Sequence, residues 1–158
     1  MESRACLAQV TRGFGDSEGA GTDVHALRPC DISVNSSRSN RWFAECDIEH
    51  IDGDGPTGCY TSATEWVWKP NENVQGDVAR MIFYMATRYE GENLEPDLEL
   101  IDYLPTDDYT SEPIHAKLSD LLLWHEQDPV DDWERQRNDI IYYDFQNNRN
   151  PFIDPLAP

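Results

Sequence analysis

The chain has 158 residues, 39% hydrophobic and 11% aromatic, the size and make-up of one domain with a core and not of a disordered polymer. Twelve basic residues face 31 acidic ones, giving a net charge of −19 and a pI near 4.3. That balance argues against a protein that coats nucleic acid by bulk charge, while leaving room for a bound cation to hold a phosphate locally.

The opening MESRACLAQVTRGFGDSEGAG has no apolar stretch of signal-peptide length, and no run of 18 apolar residues occurs anywhere, so no membrane-spanning helix is expected. Residues 11–22 read as a Gly-rich connection and residues 23–28 as a short strand. The stretch DVHALRPCDISVNSSRSN, residues 23–40, is too polar for a buried strand and too rich in Ser and Asn for a stable helix. Residues 47–73 are turn-rich, with IDGDGPTG and then KPNEN. Three helices follow. Residues 75–91 place Ala79, Ile82, Ala86 and Tyr89 at helical spacing, with Phe83 beside them and Gly91 as the stop. Residues 114–127 carry a stripe of Leu118, Leu121, Leu122 and His125. Residues 130–146 turn Val130, Trp133, Ile140, Ile141 and Phe145 inward, with Asp131 and Asp132 in the first turn. The tail NRNPFIDPLAP is irregular. Loops with little strand followed by helices make an α+β domain, with chemistry expected on the loops.

The cysteines Cys6, Cys30, Cys46 and Cys59 form no CxxC, which argues against structural zinc. Cys46 and Cys59 bracket the Gly- and Asp-rich loop and are the expected disulfide pair, against the alternative of four reduced thiols. No nucleophile elbow of the GxSxG type and no GxxxxGK phosphate loop occurs. IDGDGPTG starts like a calcium loop but lacks the closing Glu, so an acidic surface turn is expected. His115 and His125 fall on or near the second helix and read as structural, and Glu49-His50 reads as an exposed loop pair. His25 keeps different company. Asn35 follows ten residues later, offering a hard oxygen suited to Mg²⁺ or Ca²⁺, and Arg28 and Arg38 are forks for phosphate oxygens. The competing reading of the same cluster is an Asn/Ser turn that caps a helix.

DVHALRPCDISVNSSRSNRWF, GDVARMIFYMATRYEG and LLLWHEQDPVDDWERQRNDIIYYDFQNNRNPFID, in that order, resemble the endonuclease I family of secreted, non-specific DNA/RNA nucleases. The likeness runs over residues 13–154, with residues 1–12 divergent, inside a single domain of residues 1–158. It implies a helix-rich α+β domain around a ββα-metal, or His-Me finger, core that hydrolyses phosphodiester bonds. It also implies Mg²⁺ (or Ca²⁺ or Mn²⁺) as cofactor, the DNA or RNA backbone as partner, a monomer, and a secreted location. Asn35 matches the family's metal-binding Asn. His25, Arg28 and Arg38 fall in the surrounding catalytic segment, where His25 is expected to support the site and the two arginines to contact phosphate or pin the loop. Asn40 is expected to satisfy turn backbone. Ala26, nine residues before Asn35, stands where the family often has Asn or His.

One motif departs. The family's Glu-His dipeptide, carrying the general base, belongs upstream of GFGDS, where this chain has Glu2 followed by Ser3 and no His before His25. Glu49-His50 lies on the wrong side of Asn35 and does not inherit the role. Either the chain begins inside the nuclease domain, with the first strand missing, or it is an inert nucleic-acid- or metal-binding relative.

Overall fold

The computed structural model describes residues 19–91, 97–105 and 114–154. Its centre is a six-stranded sheet. The strands are β1 (Trp42–Phe43), β2 (Ile48–Asp52), β3 (Gly55–Thr61), β4 (Val67–Lys69), β5 (Glu99–Ile101) and β6 (Ile114–Lys117). They lie side by side in the order β2-β3-β4-β1-β6-β5. β2, β3 and β4 form an antiparallel meander, whereas β1 pairs in parallel with both β4 and β6. The helices are α1 (Ile32–Arg38), α2 (Gln75–Arg88), α3 (Leu118–Gln127) and α4 (Asp132–Ile140), the last running on into one π-helical turn, Ile141–Gln146. The domain is α+β, as its sequence implies.

α2 is the spine. Nearly every residue from Gln75 to Met85 is buried, so it is enclosed on all sides instead of resting one stripe on the sheet. Gly76 makes the tightest approach possible, since a Cβ there would stand 2.0 Å from the Asp128 carbonyl oxygen beyond α3. Val34, Phe43, Cys59, Trp68, Val78, Ile82, Ala116, Leu121 and Trp124 belong to one cluster that joins α1, the sheet, α2 and α3.

Several sequence expectations give way. Residues 47–73, expected to be turn-rich, hold the three strands β2, β3 and β4, because the strands are short and their polar residues hide the alternation. IDGDGPTG forms the tip of the β2–β3 hairpin, where Asp52 Oδ1 accepts from Asp54 N at 2.8 Å, so it is the acidic turn expected. Residues 24–26 form a 3-10 turn and not a strand, because Asp23 caps them. Residues 32–38 are helical despite their Ser and Asn, since Asp31 caps the first turn and Val34 is buried beneath it. IHAK at 114–117 is strand, not helix; Ala116, fully buried, pairs with Phe43 inside the sheet. α2 ends at Arg88, three residues before Gly91. Leu122, expected on the inner stripe of α3, is 49% exposed, and Trp124 is buried in its place. In α4 the inner stripe is Glu134, Asn138 and then Ile141. Trp133, Ile140 and Phe145, expected inside, are exposed. Finally, Cys46 and Cys59 are not joined: Cys46 is a half-buried thiol, with burial raising its pKa to about 11. Cys6 lies outside the described residues.

Candidate functional site

α1 owes its existence to Asp31. Its Oδ1 accepts from the amides of Ser33 (2.9 Å) and Val34 (3.3 Å), satisfying donors that a helix start leaves open. Ser33 Oγ then bridges Asp31 Oδ1 (2.6 Å) and Asp52 Oδ2 (2.9 Å), tying the head of the helix to the β2–β3 hairpin. With Val34 pressed into the core, the next residue is turned outward: Asn35 is exposed. Its amide donates to the Asp31 carbonyl and its carbonyl accepts from Ser39, so its carboxamide is the part turned to solvent. A hard amide oxygen there suits Mg²⁺ as one ligand. Among the described residues, however, no group of three or more His, Cys, Asp or Glu side chains is placed to complete a metal site.

His25 lies elsewhere, in the interior, only 1% exposed. Asp23 organises its surroundings. Oδ1 accepts from His25 N (2.9 Å) and Gln146 Nε2 (3.0 Å), and Oδ2 accepts from the hydroxyls of Tyr84 (2.8 Å) and Tyr89 (2.9 Å). The imidazole lies 4.5 Å from the Tyr84 ring, with Nε2 3.4 Å from the Asn148 carbonyl oxygen. Burial lowers its pKa below 6.5, so it is neutral at pH 7. A buried neutral imidazole has no route to a polymer outside, and its place in the fold is that of a support.

Arg28 is buried too. Its Nη1 lies 3.7 Å from Asp77 Oδ2, and its guanidinium rests 5.1 Å from the Trp133 ring centre. Beside it, Arg80 donates from Nε (2.8 Å) and Nη2 (2.6 Å) to the two oxygens of Glu134, both residues being fully buried. Arg80 Nη1 also donates to the Asp128 carbonyl at 2.7 Å. Arg137 Nη2 donates to the carbonyls of Val24 (2.6 Å) and Leu27 (2.7 Å). Arg28 and Arg137 thus link residues 24–28 to α2 and α4, while Arg80 joins α2 to α4, and Arg28 faces inward instead of toward a substrate. Asp77 sits among them with its pKa raised to about 7, first by burial, with Arg28 pulling the other way. Arg38, also buried, lies 5.2 Å from the Phe43 ring. Asn40 Oδ1 accepts from Trp66 Nε1 at 2.8 Å, a side-chain bond where a backbone role was expected.

The other histidines sit apart from Asn35's open face. His50 is half-buried on β2, not in an exposed loop, with Nδ1 3.3 Å from Thr57 Oγ1 and its ring 5.1 Å from Trp68. His125 lies 3.3 Å from Arg80 Nη1 and edge-on to Phe83, a structural place as expected. The His115 side chain lies outside the described residues. The resemblance singled out Asn35 as a metal ligand, and the sequence reading missed the Asp23 and Arg80–Glu134 networks. Arg80 inside an apolar helix was the available signal, because a buried guanidinium demands a carboxylate.

With this geometry in place, the sequence comparisons decide the family. The pattern of the Endonuclease I family matches residues 9–156. The chain belongs to the Endonuclease I family. It is 52% identical over 141 residues to an extracellular ribonuclease of Bacillus subtilis (strain 168), covering 89% of this chain and 46% of that protein. It is 50% identical over 141 residues to an extracellular ribonuclease of Bacillus amyloliquefaciens, with the same coverage of 89% and 46%. It is 24% identical over 138 residues to Endonuclease-1 of Buchnera aphidicola subsp. Baizongia pistaciae (strain Bp), covering 84% of this chain and 46% of that one. The chain thus spans about half the length of these Endonuclease I relatives.

Proposed function

We propose that this Endonuclease I chain takes part in hydrolysing the phosphodiester backbone of nucleic acids, RNA included, with Mg²⁺ as cofactor, outside the cell. The observation that carries the reading is the outward carboxamide of Asn35. It stands on a helix that Asp31 caps and Ser33 clamps to the hairpin, while its neighbours His25, Arg28 and Arg38 turn inward. Of that polar segment, Asn35 is the member presented to a substrate as an oxygen ligand. The two Bacillus relatives, named extracellular ribonucleases, support RNA as a substrate and secretion as the destination.

The division of labour follows from the geometry. Asn35 contributes one oxygen toward the cation, which when bound would supply charge stabilisation at the phosphate. Asp31 and Ser33 hold the helix that carries it. His25 and the Asp23 network fix the chain leading into that helix. A second reading, an inert nucleic-acid-binding relative, is favoured by a separate observation: among the described residues neither a complete metal set nor an exposed histidine beside Asn35 is present.

Plasmid nicking and RNA digestion by the purified chain, with Mg²⁺ and with EDTA, separate the two. Mg²⁺-dependent cleavage that falls to background in Asn35→Ala supports the hydrolase. Cleavage that survives both EDTA and the substitution overturns the role of Asn35. Binding without cleavage in any metal supports the inert module.

A further inference from the structure

Where α1 runs into β1, the chain builds a second feature. Trp66, at the entry to β4, is half-buried, and its ring is fixed at Nε1 by Asn40 Oδ1 at 2.8 Å. The Arg41 guanidinium lies 3.8 Å from that ring's centre, close enough to stack. Arg41 is itself held, because Nη1 donates to the carbonyls of Ser37 and Arg38 at the end of α1. Trp66 and Arg41 line an open pocket of about 550 Å³, with Ser62, Thr64 and Glu65 on one rim and Pro105 on another.

Arg41 stands outside the ion pairs of the described residues. Lys69, Arg80, Lys117, Arg135 and Arg149 each pair with a carboxylate. Arg41 makes no ion pair with a described carboxylate; its guanidinium lies over the Trp66 indole instead. A fixed indole–guanidinium stack is a platform for a flat, aromatic group. The pocket lies in the volume range of small-ligand sites, which begins at roughly 300 Å³. Glu65 on the rim disfavours a phosphate inside, whereas a carboxylate and hydroxyls there suit the amino and imino edge of a base.

We propose that the Arg41–Trp66 pocket is a base-binding subsite that takes one unpaired nucleobase, so that the protein prefers single-stranded over fully paired nucleic acid. The proposal rests on the nucleic-acid reading above and names the form of substrate. The placement is consistent with it: Ser37, whose carbonyl anchors Arg41, lies two residues past Asn35, about 3 Å of helix rise. The helix that carries Asn35 is thus the one that anchors Arg41. A base paired inside a duplex cannot offer its face to Trp66 without leaving the stack.

The experiment is binding of a short fluorescein-labelled single strand, followed by anisotropy in EDTA so that nothing is cut, beside the same strand with abasic sites and its duplex. Wild type should bind the intact strand most tightly. Trp66→Ala should weaken that binding about tenfold, the worth of one base stacked on an aromatic ring, and leave the abasic strand unchanged. Trp66→Phe should retain most of the affinity. Thr64→Glu, at an exposed rim position, should weaken binding without touching the core. Folding of each variant is checked by circular dichroism. Equal affinity for intact and abasic strands in wild type, unchanged binding by folded Trp66→Ala or Thr64→Glu, or no binding of any strand overturns the subsite. Trp66-dependent binding without Mg²⁺-dependent cleavage leaves the subsite standing and removes only the hydrolase.

Discussion

Asp77 is the residue whose ionisation is most at odds with its place. Its ordinary carboxyl pKa of 3.8 is raised to about 7, chiefly by burial. The folded chain therefore holds the proton more tightly than the unfolded one does. The stabilisation this gives is full below the unfolded value, about pH 4, and is lost as pH climbs through about 7. Urea midpoints of wild type and Asp77→Asn across that window should diverge, with wild type losing stability relative to the variant as pH rises. Parallel curves would mean that Arg28 neutralises the carboxylate and burial does not win. Nothing in the string GDVAR announces this, because the cause is the enclosure of α2 and not the local sequence. The same holds for His25. Its neighbours in DVHALRP are polar enough to suggest an open site, yet Tyr84 and Tyr89, 61 and 66 residues from Asp23, bond to that carboxylate and help to enclose the imidazole.

Among the elements, α2 and α4 are joined by the Arg80–Glu134 pair, 54 residues apart in sequence and closed to water at both ends. Such a pair is poor evidence of net stability, but removing one member is severe. Glu134→Gln removes the two-pronged carboxylate partner of Arg80, leaving only Asp77 at 3.5 Å, and should cost about 3 kcal/mol in chemical denaturation. Replacing both members, Arg80→Met with Glu134→Leu, should recover much of that loss. A small effect of the single change would show that water reaches Arg80. This pair also explains how the third helix was misread. Apolar spacing selected Trp133, Ile140 and Phe145 as the inner face, but the inner face of α4 begins with Glu134 and Asn138, which follow helical spacing with polar side chains. Periodicity of apolar residues finds α2 and most of α3, where burial and hydrophobicity coincide. It cannot find a helix whose buried side serves ions and amides. The strands failed for a related reason: Trp42–Phe43 is only two residues long and buried throughout, so it has no alternation to detect. Asn35 was legible through resemblance, because VNSSRSN carries the family pattern. The Arg41–Trp66 stack was not, since it joins residues 25 apart whose contact depends on β1 lying beside β4.

For the molecule as a whole, the charge of −19 sets the terms on which a polyanion is met. A basic nucleic-acid-binding protein loses affinity steeply as salt rises, because it releases counterions. Here the long-range field repels the substrate and favourable contacts are local, so salt screens an obstacle instead of an attraction. Under the proposed hydrolase reading, kcat/KM should therefore rise between low and near-physiological ionic strength at fixed Mg²⁺. A steep fall over the same range would place a basic surface at the substrate that the described residues do not supply.

The same charge bears on β2, which closes one side of the sheet. Its outer hydrogen-bonding row faces away from β3, and Ile48 and Ile51 are 47% and 56% exposed along it. A strand of that kind is a template on which further copies can stack into fibrils. Asp47, Glu49, Asp52 and Asp54 stud the same short stretch, so a second copy laid edge to edge brings carboxylates against carboxylates. At neutral pH that repulsion opposes edge-to-edge pairing. At the pI of about 4.3 the chain's net charge vanishes, and with it the overall repulsion between copies, leaving the two isoleucines and a strand edge unpaired among the described residues.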